Sequence, residues 1–334
     1  MFVQLKIFEK RSCLPPVSAW GESATFKGHG VDVRQSFSDV LFLSVGGRMD
    51  SALRLMCILA HPDDESLGAG GILAKYATEG VATSLICATR GERGWTGPEH
   101  ANPGMQMLGQ IRERELIQAA RVLGVHRAHL LDYTDGDLDQ ADPGMVAAQL
   151  ATLIRQIRPQ VVVTFDPKGS YGHPDHIAIC QYTHAALMLS ADSCAPLDGE
   201  PHQVLKLYYM VDTSEDYELY LSLFGDISMV VDGIERCPMA WESWAVTTRI
   251  DTSAFRDVVW QAVSCHQTQV PNAPGFRSAL AASRLWSTQT LFRAMSLVNS
   301  GRALEDDLFA GIRDPLPLQT RSVLHPPCQP VLHG

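Results

Sequence analysis

Continuously apolar runs alternate with segments of helical spacing between residues 53 and 165. The apolar runs at 53–59, 81–88 and 160–165 are typical of strands buried on both faces, and 129–131 is a shorter candidate. The segments 67–79, 107–123 and 145–157 place apolar residues at helical intervals and end at Gly80, Gly124 and Pro159. This alternation predicts an α/β fold: a Rossmann-like, mostly parallel sheet with helices on both faces.

The pattern weakens after His173. It predicts a helix over 175–190, with Pro174 suited to its first turn, and strands over 204–211 and 245–250. Helices are expected over 252–266 and 276–297, so the last third of the main domain forms a smaller C-terminal α+β portion.

The domain division follows from the same pattern. Residues 1–50 are an N-terminal extension of uncertain structure, residues 51–312 form the main domain, and residues 313–334 form a tail with no core signal. Met49 stands just before the first strong strand. A translation start at Met49 and a genuine arm packed on the domain both stay open.

Bulk composition narrows the class of protein. Of the 334 residues, 46% are hydrophobic and 19% are charged, as in ordinary globular proteins. The formal net charge of -10 argues against a nucleic-acid partner, because an acidic surface repels phosphate backbones. No apolar run is long enough to span a membrane and no signal-peptide core precedes the first strand, so we expect a cytoplasmic protein. The eight cysteines form no C-x-x-C pair, which removes a cysteine-built zinc site.

Two acidic, histidine-containing loops follow predicted strands. The first is HPDDE, from His61 to Glu65, and the second is DPKGSYGHPDH, from Asp166 to His176. In open α/β sheets, ligands bind outside the carboxyl ends of the strands. We therefore expect the two loops to meet over one edge of the sheet.

The first loop places three acids in a row beside an imidazole. Such neighbours repel one another unless a cation or hydrogen bonds hold them. His61 and Asp64 can share one divalent ion, and His176 can supply a third ligand. Two histidines and one carboxylate leave a coordination position open for water or substrate. Asp63 is then free to take a proton from the water.

The identity of the metal and of the reaction stays open at this point. The same ligand set suits non-haem iron oxygenases, whereas a free carboxylate beside it favours hydrolysis and zinc. Gly68 to Gly71 lack the last glycine of a dinucleotide-binding loop, because Leu73 stands in its place. No G-x-S-x-G motif marks a serine hydrolase.

The two motifs together resemble the LmbE / PIG-L family of zinc-dependent N-deacetylases. AHPDDES, from Ala60 to Ser66, and YGHPDH, from Tyr171 to His176, carry the resemblance, which runs from about residue 54 to about residue 312. The chain looks most similar to the branch that holds the N-acetylglucosaminyl-inositol deacetylase and the mycothiol conjugate amidase. The resemblance implies a deacetylase domain over 51–312.

The resemblance also implies a role for each candidate residue. It makes His61, Asp64 and His176 the zinc ligands and Asp63 the general base. His173 would stabilise the oxyanion or help to protonate the leaving amine, and Tyr171 would polarise the amide carbonyl. The resemblance further implies that Arg112 and Asp135 contact the substrate, although an ion pair on a helix surface and a plain Asp-Gly turn are the alternatives. His266, in Cys265 to Gln269, is expected to have a structural role, and Glu92 is a candidate for supporting the site.

The predicted function is metal-dependent hydrolysis of an amide, with a small-molecule amino sugar as substrate and Zn²⁺ (or Fe²⁺) as cofactor. The expected reaction is N-deacetylation of an N-acetylglucosamine-type glycoside. An amidase for a larger thiol conjugate or an antibiotic sugar, and a metal-holding sugar-binding protein without activity, are the alternatives. Family members are often oligomeric, so the resemblance leaves room for a homo-oligomer.

Overall fold

The main domain is built on one large, mostly parallel sheet. The structure is a computed structural model, and it describes residues 38–41, 53–224, 229–231, 233–270, 284–299, 301 and 303–313. Its strands are β1 (Ser38–Leu41), β2 (Arg54–Leu59), β3 (Ala82–Thr89), β4 (Arg127–Tyr133), β5 (Val161–Phe165), β6 (Lys206–Met210), β7 (Met229–Val231), β8 (Ile234–Arg236), β9 (Thr248–Asp251) and β10 (Thr288–Ser296).

Eight strands form the sheet in the order β1-β4-β3-β2-β5-β6-β10-β9. The five central strands, β4 to β6 in that order, are parallel, and the flanking strands pair antiparallel. The prediction of a Rossmann-like, mostly parallel sheet is confirmed. β7 and β8 form a separate antiparallel hairpin.

Most of the longer helices lie in segments for which the sequence predicts a helix, but the helix over 214–224 was not predicted. The helices are α1 (Asp64–Leu67), α2 (Gly70–Thr78), α3 (Met105–Val122), α4 (Pro143–Ile157), α5 (Gly169–Gly172), α6 (Pro174–Ala191), α7 (Ser214–Phe224) and α8 (Arg256–Val263). α4 packs along α6, while α2 and α3 pack against α8. Right-handed crossovers that run in opposite directions from β2 and β5 put these two groups on opposite faces.

The order of the strands reverses between β2 and β5. These neighbours pair in parallel, with Leu55 opposite Val161 and Cys57 opposite Val163. Every residue of β5 is buried, as its run of β-branched and aromatic side chains predicts. Their carboxyl ends flank the crevice where ligands bind in such folds. The two motif loops leave the sheet from these ends.

Strands flank the parallel centre of the sheet at both edges. β1 lies within the segment expected to be an extension and pairs with β4, from Ser38 opposite Leu130 to Leu41 opposite Arg127. The tail at 314–334 and the start question at Met49 lie outside the described residues. The later strands β9 and β10 extend the main sheet, so the C-terminal α+β portion completes the same layer.

The helix predicted over 276–297 is wrong for its second part, where the structure has β10. Leu291 and Met295 have the i, i+4 spacing that mimics a helix. Pairing with β6 on one side and β9 on the other decides the conformation instead.

Candidate active site

The loop after β2 presents the first candidate residues in a fixed turn. Asp63 has φ 116°, a positive value that non-glycine residues rarely adopt. The Asp64 carboxylate accepts the His61 backbone N–H at 2.7 Å. The Asp63 carbonyl accepts the N–H groups of Ser66 and Leu67, the last two residues of α1. The turn thus places one imidazole and two carboxylates together at the end of a buried strand.

The loop after β5 is also held in an unusual backbone conformation. Ser170 has φ 61° and ψ -71°, and its N–H donates to the Asp166 carboxylate at 2.8 Å. α6 then begins at Pro174, which suits the first helical position because it has no N–H to satisfy. The His173 Nδ1 caps this helix by accepting the Asp175 N–H at 3.1 Å.

The structure brings His61, Asp64 and His176 together. His61 Nδ1 lies 3.1 Å from His176 Nε2, and the Asp64 carboxylate lies 3.7 Å from the first nitrogen and 3.5 Å from the second. Ligand atoms about 2.0–2.1 Å from a tetrahedral zinc ion are about 3.4 Å from one another. The two Asp64 distances run to different oxygens, Oδ2 toward His61 and Oδ1 toward His176, so the three predicted ligands would share one ion after a small shift of the Asp64 carboxylate.

Two carboxylates on the far side of His61 fix which nitrogen faces the ion. His61 Nε2 lies 3.1 Å from Asp135 Oδ1 and 3.0 Å from Asp175 Oδ2. An Nε2–H that donates to these oxygens leaves Nδ1 as the lone-pair nitrogen. Metal-binding histidines usually donate their second N–H to a carboxylate in this way.

The same carboxylates control the charge of His61. Burial lowers its pKa, but hydrogen bonds to Asp135 and Asp175 raise it well above the usual value. Burial also raises the pKa of Asp64 to about 7. Both shifts mean that His61 and Asp64 favour added positive charge, whereas burial and the charge of His61 lower the pKa of His176 well below its usual value and keep that ring neutral. A bound divalent cation would supply that charge, so the chemistry of the donor set fits a metal.

A second set of ligand atoms includes His173. Its ring nitrogen lies within 4.8 Å of candidate atoms of both His61 and His176, and His61 forms a similar group with Asp135 and Asp175. His173 uses Nδ1 to cap α6, and burial followed by the charge of His61 lowers its pKa to about 4. These contacts keep its proton on Nε2 and favour a hydrogen-bond donor over a metal ligand.

Asp63 is held by a cation on the side away from the ligands. Its carboxylate accepts Arg112 Nη2 at 3.1 Å. Arg112 is buried and also donates to the backbone carbonyls of Pro62, at 2.5 Å, and Gly91, at 2.8 Å. Burial raises the pKa of Asp63, while Arg112 opposes that rise. A carboxylate with this pKa balance is suited to accepting and releasing a proton.

Two glycines of the strand-end loop make room for Arg112. A Cβ atom at Gly91 or Gly94 would collide with the guanidinium group. Gly91 also has φ 61°, which glycine adopts without strain. Residues 89–94, with the sequence TRGERG, therefore leave space for the side chain of Arg112. The Glu92 carboxylate of this segment accepts the Asp135 N–H at 3.0 Å.

In this structure, the contacts of Arg112 and Asp135 are with other residues of the protein. Asp135 is 7% exposed and contacts His61 and the N–H of Arg93, while Arg112 is 3% exposed. The alternative of a helix-surface ion pair for Arg112 does not apply, because the residue is buried. Contact with a substrate stays a prediction for both.

The rings of Tyr171 and His173 lie beside those of the two predicted histidine ligands. The Tyr171 ring centroid lies 5.2 Å from that of His176 and 5.9 Å from that of His173. His173 lies 4.6 Å from His61, also between ring centroids. Burial raises the pKa of Tyr171 well above its usual value, so the hydroxyl stays protonated and available as a donor.

Several residues that support the site were missed in the sequence. Phe165 stacks on His176 with ring centroids 3.8 Å apart and planes at 9°. The Asp175 carboxylate accepts the N–H groups of Gly136 and Leu138 besides contacting His61. Asp175 lies within the second motif, so a search for a carboxylate behind each histidine ligand would have found it.

The β7–β8 hairpin and the segment after it form hydrogen bonds with the loop that follows β5. Nothing in the sequence pattern indicated these contacts. Arg236 donates to the Gly172 carbonyl at 2.7 Å, and the Met239 N–H donates to the Ser170 carbonyl at 3.1 Å. The Trp241 indole donates to Asp166 at 2.7 Å. Both ends of the loop that carries Tyr171 are therefore attached to a later part of the chain.

No helix in the described parts of the chain is both long enough and apolar enough to cross a bilayer.

Comparison with known proteins adds to the geometry. The family model of the PIG-L GlcNAc-PI de-N-acetylases matches residues 56–187, which include both motif loops.

Curated relatives are similar over most of this chain. A 1D-myo-inositol 2-acetamido-2-deoxy-alpha-D-glucopyranoside deacetylase from Rhodococcus jostii is 36% identical over 293 residues, covering 78% of this chain and 99% of that protein. A mycothiol S-conjugate amidase from Streptomyces coelicolor is 32% identical over 305 residues, covering 80% and 99%.

The fold is also similar to that of a solved structure. The conserved protein TT1542 from Thermus thermophilus superposes with a TM-score of 0.54 at 27% identity, covering 74% of this chain and 97% of that one. The family model, the curated relatives and this solved structure all agree with the resemblance that the two motifs indicate. The chain belongs to the PIG-L / LmbE family of deacetylases and amidases.

Proposed function

We propose that this protein is a zinc-dependent amidase that removes an acetyl group from an N-acetylglucosamine-type glycoside. The observation that carries the proposal is the convergence of His61, His176 and Asp64 within 3.1 to 3.7 Å, with Asp63 left outside the ligand set. The named activities of the relatives, a deacetylase and an S-conjugate amidase, support amide hydrolysis.

The proposed ligands are His61 Nδ1, His176 Nε2 and a carboxylate oxygen of Asp64. Zinc supplies two kinds of chemistry when bound in such a site: it lowers the pKa of water and it polarises a carbonyl oxygen. Asp135 and Asp175 keep the proton of His61 on Nε2, so that the opposite nitrogen faces the metal.

Asp63 is the proposed general base. Its position beside the ligands, and its hydrogen bond with Arg112, hold the carboxylate where it can accept a proton from an attacking water. The same carboxyl can later return the proton to the leaving amine. We also propose that Arg112 and Asp135 contact the substrate. Because both side chains are buried, a substrate would contact them while they keep their present hydrogen bonds within the protein.

Tyr171 and His173 are the proposed donors to the amide oxygen. Both remain neutral, because burial raises the pKa of Tyr171 and lowers that of His173. Preorganised donors stabilise the charge that develops on the carbonyl oxygen during attack, and one such donor contributes about 10²–10³-fold in rate. The helix-capping bond of His173 Nδ1 favours this role over protonation of the amine.

A panel of amides tests the proposal. Metal-free protein is loaded with Zn²⁺ or Fe²⁺ and assayed for released primary amine. The panel holds the inositol glycoside of N-acetylglucosamine, a simple N-acetylglucosamine glycoside and a mycothiol S-conjugate. We expect the fastest release from an N-acetylglucosamine glycoside. Zinc-loaded Asp63→Ala, which should retain the metal but lose most of its turnover, is the control.

Each other outcome has a defined meaning. Preference for the S-conjugate would replace the deacetylase proposal with the amidase alternative. No amine from any member of the panel, with stoichiometric metal bound, would favour a sugar-binding protein without activity. Greater turnover with Fe²⁺ than with Zn²⁺ at equal occupancy would change the proposed cofactor.

A further inference from the structure

A buried ion pair joins the loop after β2 to a later segment of the chain, and it has no role in the mechanism proposed above. Glu65 and His266 are both 0% exposed, and His266 Nε2 lies 2.6 Å from Glu65 Oε1. Ser66 Oγ donates to the same carboxylate oxygen at 2.5 Å. The two partners are 201 residues apart in the sequence, so the pair joins the first loop to the last third of the chain.

The second oxygen of Glu65 acts on Asp63. Glu65 Oε2 accepts the Asp63 backbone N–H at 3.0 Å. This is the residue whose φ of 116° needs support from its surroundings. Oε1 of Glu65 therefore binds His266 and Ser66, and Oε2 binds the backbone N–H of Asp63.

The segment that carries His266 is anchored to the neighbouring parts of the site. The N–H and hydroxyl of Thr268 both donate to the Glu115 carboxylate, at 2.9 and 2.6 Å. Gln269 donates to the Gly94 carbonyl at 2.8 Å. Glu115 and Arg112 share α3, so the element that anchors this segment also holds the side chain of Asp63.

Asp63 is therefore oriented from two directions. Arg112 holds its carboxylate and Glu65 holds its backbone. We propose that Glu65 and His266 form a positioning pair, which fixes the backbone of Asp63 so that its carboxylate faces the reacting water. This inference rests on the proposed role of Asp63 as base. It assigns to His266 a function in turnover, beyond the structural role expected from the sequence.

Steady-state kinetics in two backgrounds test the inference. Glu65→Met removes the acceptor for the Asp63 N–H, and Glu65→Gln retains an oxygen there. We expect Glu65→Met to lower kcat by about 10- to 100-fold, as misplacement of a reacting group by about 1 Å does. KM and metal content should change little, and Glu65→Gln should recover part of the lost kcat.

The decisive comparison repeats Glu65→Met in an Asp63→Ala background. If Glu65 acts through Asp63, the double variant is no slower than Asp63→Ala alone, because residues that act as a unit are not additive. Equal losses from Glu65→Met in both backgrounds would overturn the inference. Near-normal turnover of Asp63→Ala itself would remove Asp63 as the base and would overturn this inference, whereas the proposed function is overturned only if the wild-type protein releases no amine from the panel.

Two further variants keep the test independent of folding. His266→Gln removes the charge of the pair while leaving Glu65 in place, and it should show the same dependence on Asp63 if Glu65→Met does not fold. Thr268→Val loosens the same segment without touching Asp63 or Glu65, and it should lower kcat by no more than about fivefold, the effect of about 1 kcal/mol for one hydrogen bond. A loss with Thr268→Val equal to that of His266→Gln would mean that general loosening, not positioning, explains the effect.

Discussion

The two loops that form the site are held in different ways. The first, residues 60–67, is fixed by buried charges: Arg112 donates to the Asp63 carboxylate, and Glu65, paired with His266, accepts the Asp63 N–H. The second, residues 166–173, is fixed mainly by hydrogen bonds from a later hairpin and the segment after it, through Arg236, Met239 and Trp241.

This difference matches what each loop is proposed to do. Ligands and a base must stay in one geometry, and buried ionic partners impose a large penalty when a group leaves its place. Donors to the substrate need only be correct when the substrate is bound, and single hydrogen bonds suffice for that. The comparison predicts that changes in the first loop act through the metal or the base, and that changes in the second act through the substrate.

The largest expected effect distinguishes two histidines that the structure places close together. His176→Ala should weaken zinc binding by more than about 100-fold, a larger loss than that of an outer-shell partner, and abolish turnover. His173→Ala should keep the metal and lose the proposed oxyanion donor together with the side-chain cap of α6. Elemental analysis of the two purified variants measures this directly. Loss of metal from His173→Ala would place that residue in the ligand set.

The next effect concerns the second loop alone. Tyr171→Phe removes one hydroxyl donor and should lower kcat by about 10²-fold, while metal content stays normal. The buried phenol keeps its proton because its pKa lies well above the usual value, so the loss should not depend on pH across the neutral range. A normal kcat with a raised KM would assign Tyr171 to substrate binding only.

The smallest expected effect compares two indoles with similar bonds. Trp241 Nε1 donates to Asp166 at the start of the second loop, and Trp286 Nε1 donates to the Leu67 carbonyl at the end of the first. Trp241→Phe should lower kcat about fivefold, equivalent to about 1 kcal/mol for one hydrogen bond. Trp286→Phe should change kcat less, because charged partners also hold the first loop. Equal effects on kcat would contradict the proposed difference between the loops.

Much of the site could be read from the sequence because its parts lie at strand ends. Apolar runs identified β2 and β5, and the rule for open α/β sheets placed the two motif loops at one edge. The distances between His61, Asp64 and His176 agree with that placement.

The parts that the sequence did not indicate depend on long-range contacts. Glu65 and His266 are 201 residues apart, and Asp166 and Trp241 are 75 apart, so no local spacing points to either pair. β10 was mistaken for a helix because apolar side chains at i and i+4 also suit a strand that has partners on both sides. Single-sequence periodicity reports local preference, and tertiary pairing can override it.

The adjacency of β2 and β5 has a consequence for folding stability. A cation held by His61 and His176 would tie together positions that are 115 residues apart, in the manner of a non-covalent cross-link. Because an unfolded chain does not present these ligands together, the free energy of binding would add to the free energy of unfolding. Chelation would then raise the population of chains in which the two halves of the sheet have separated, and protease sensitivity would report on metal occupancy.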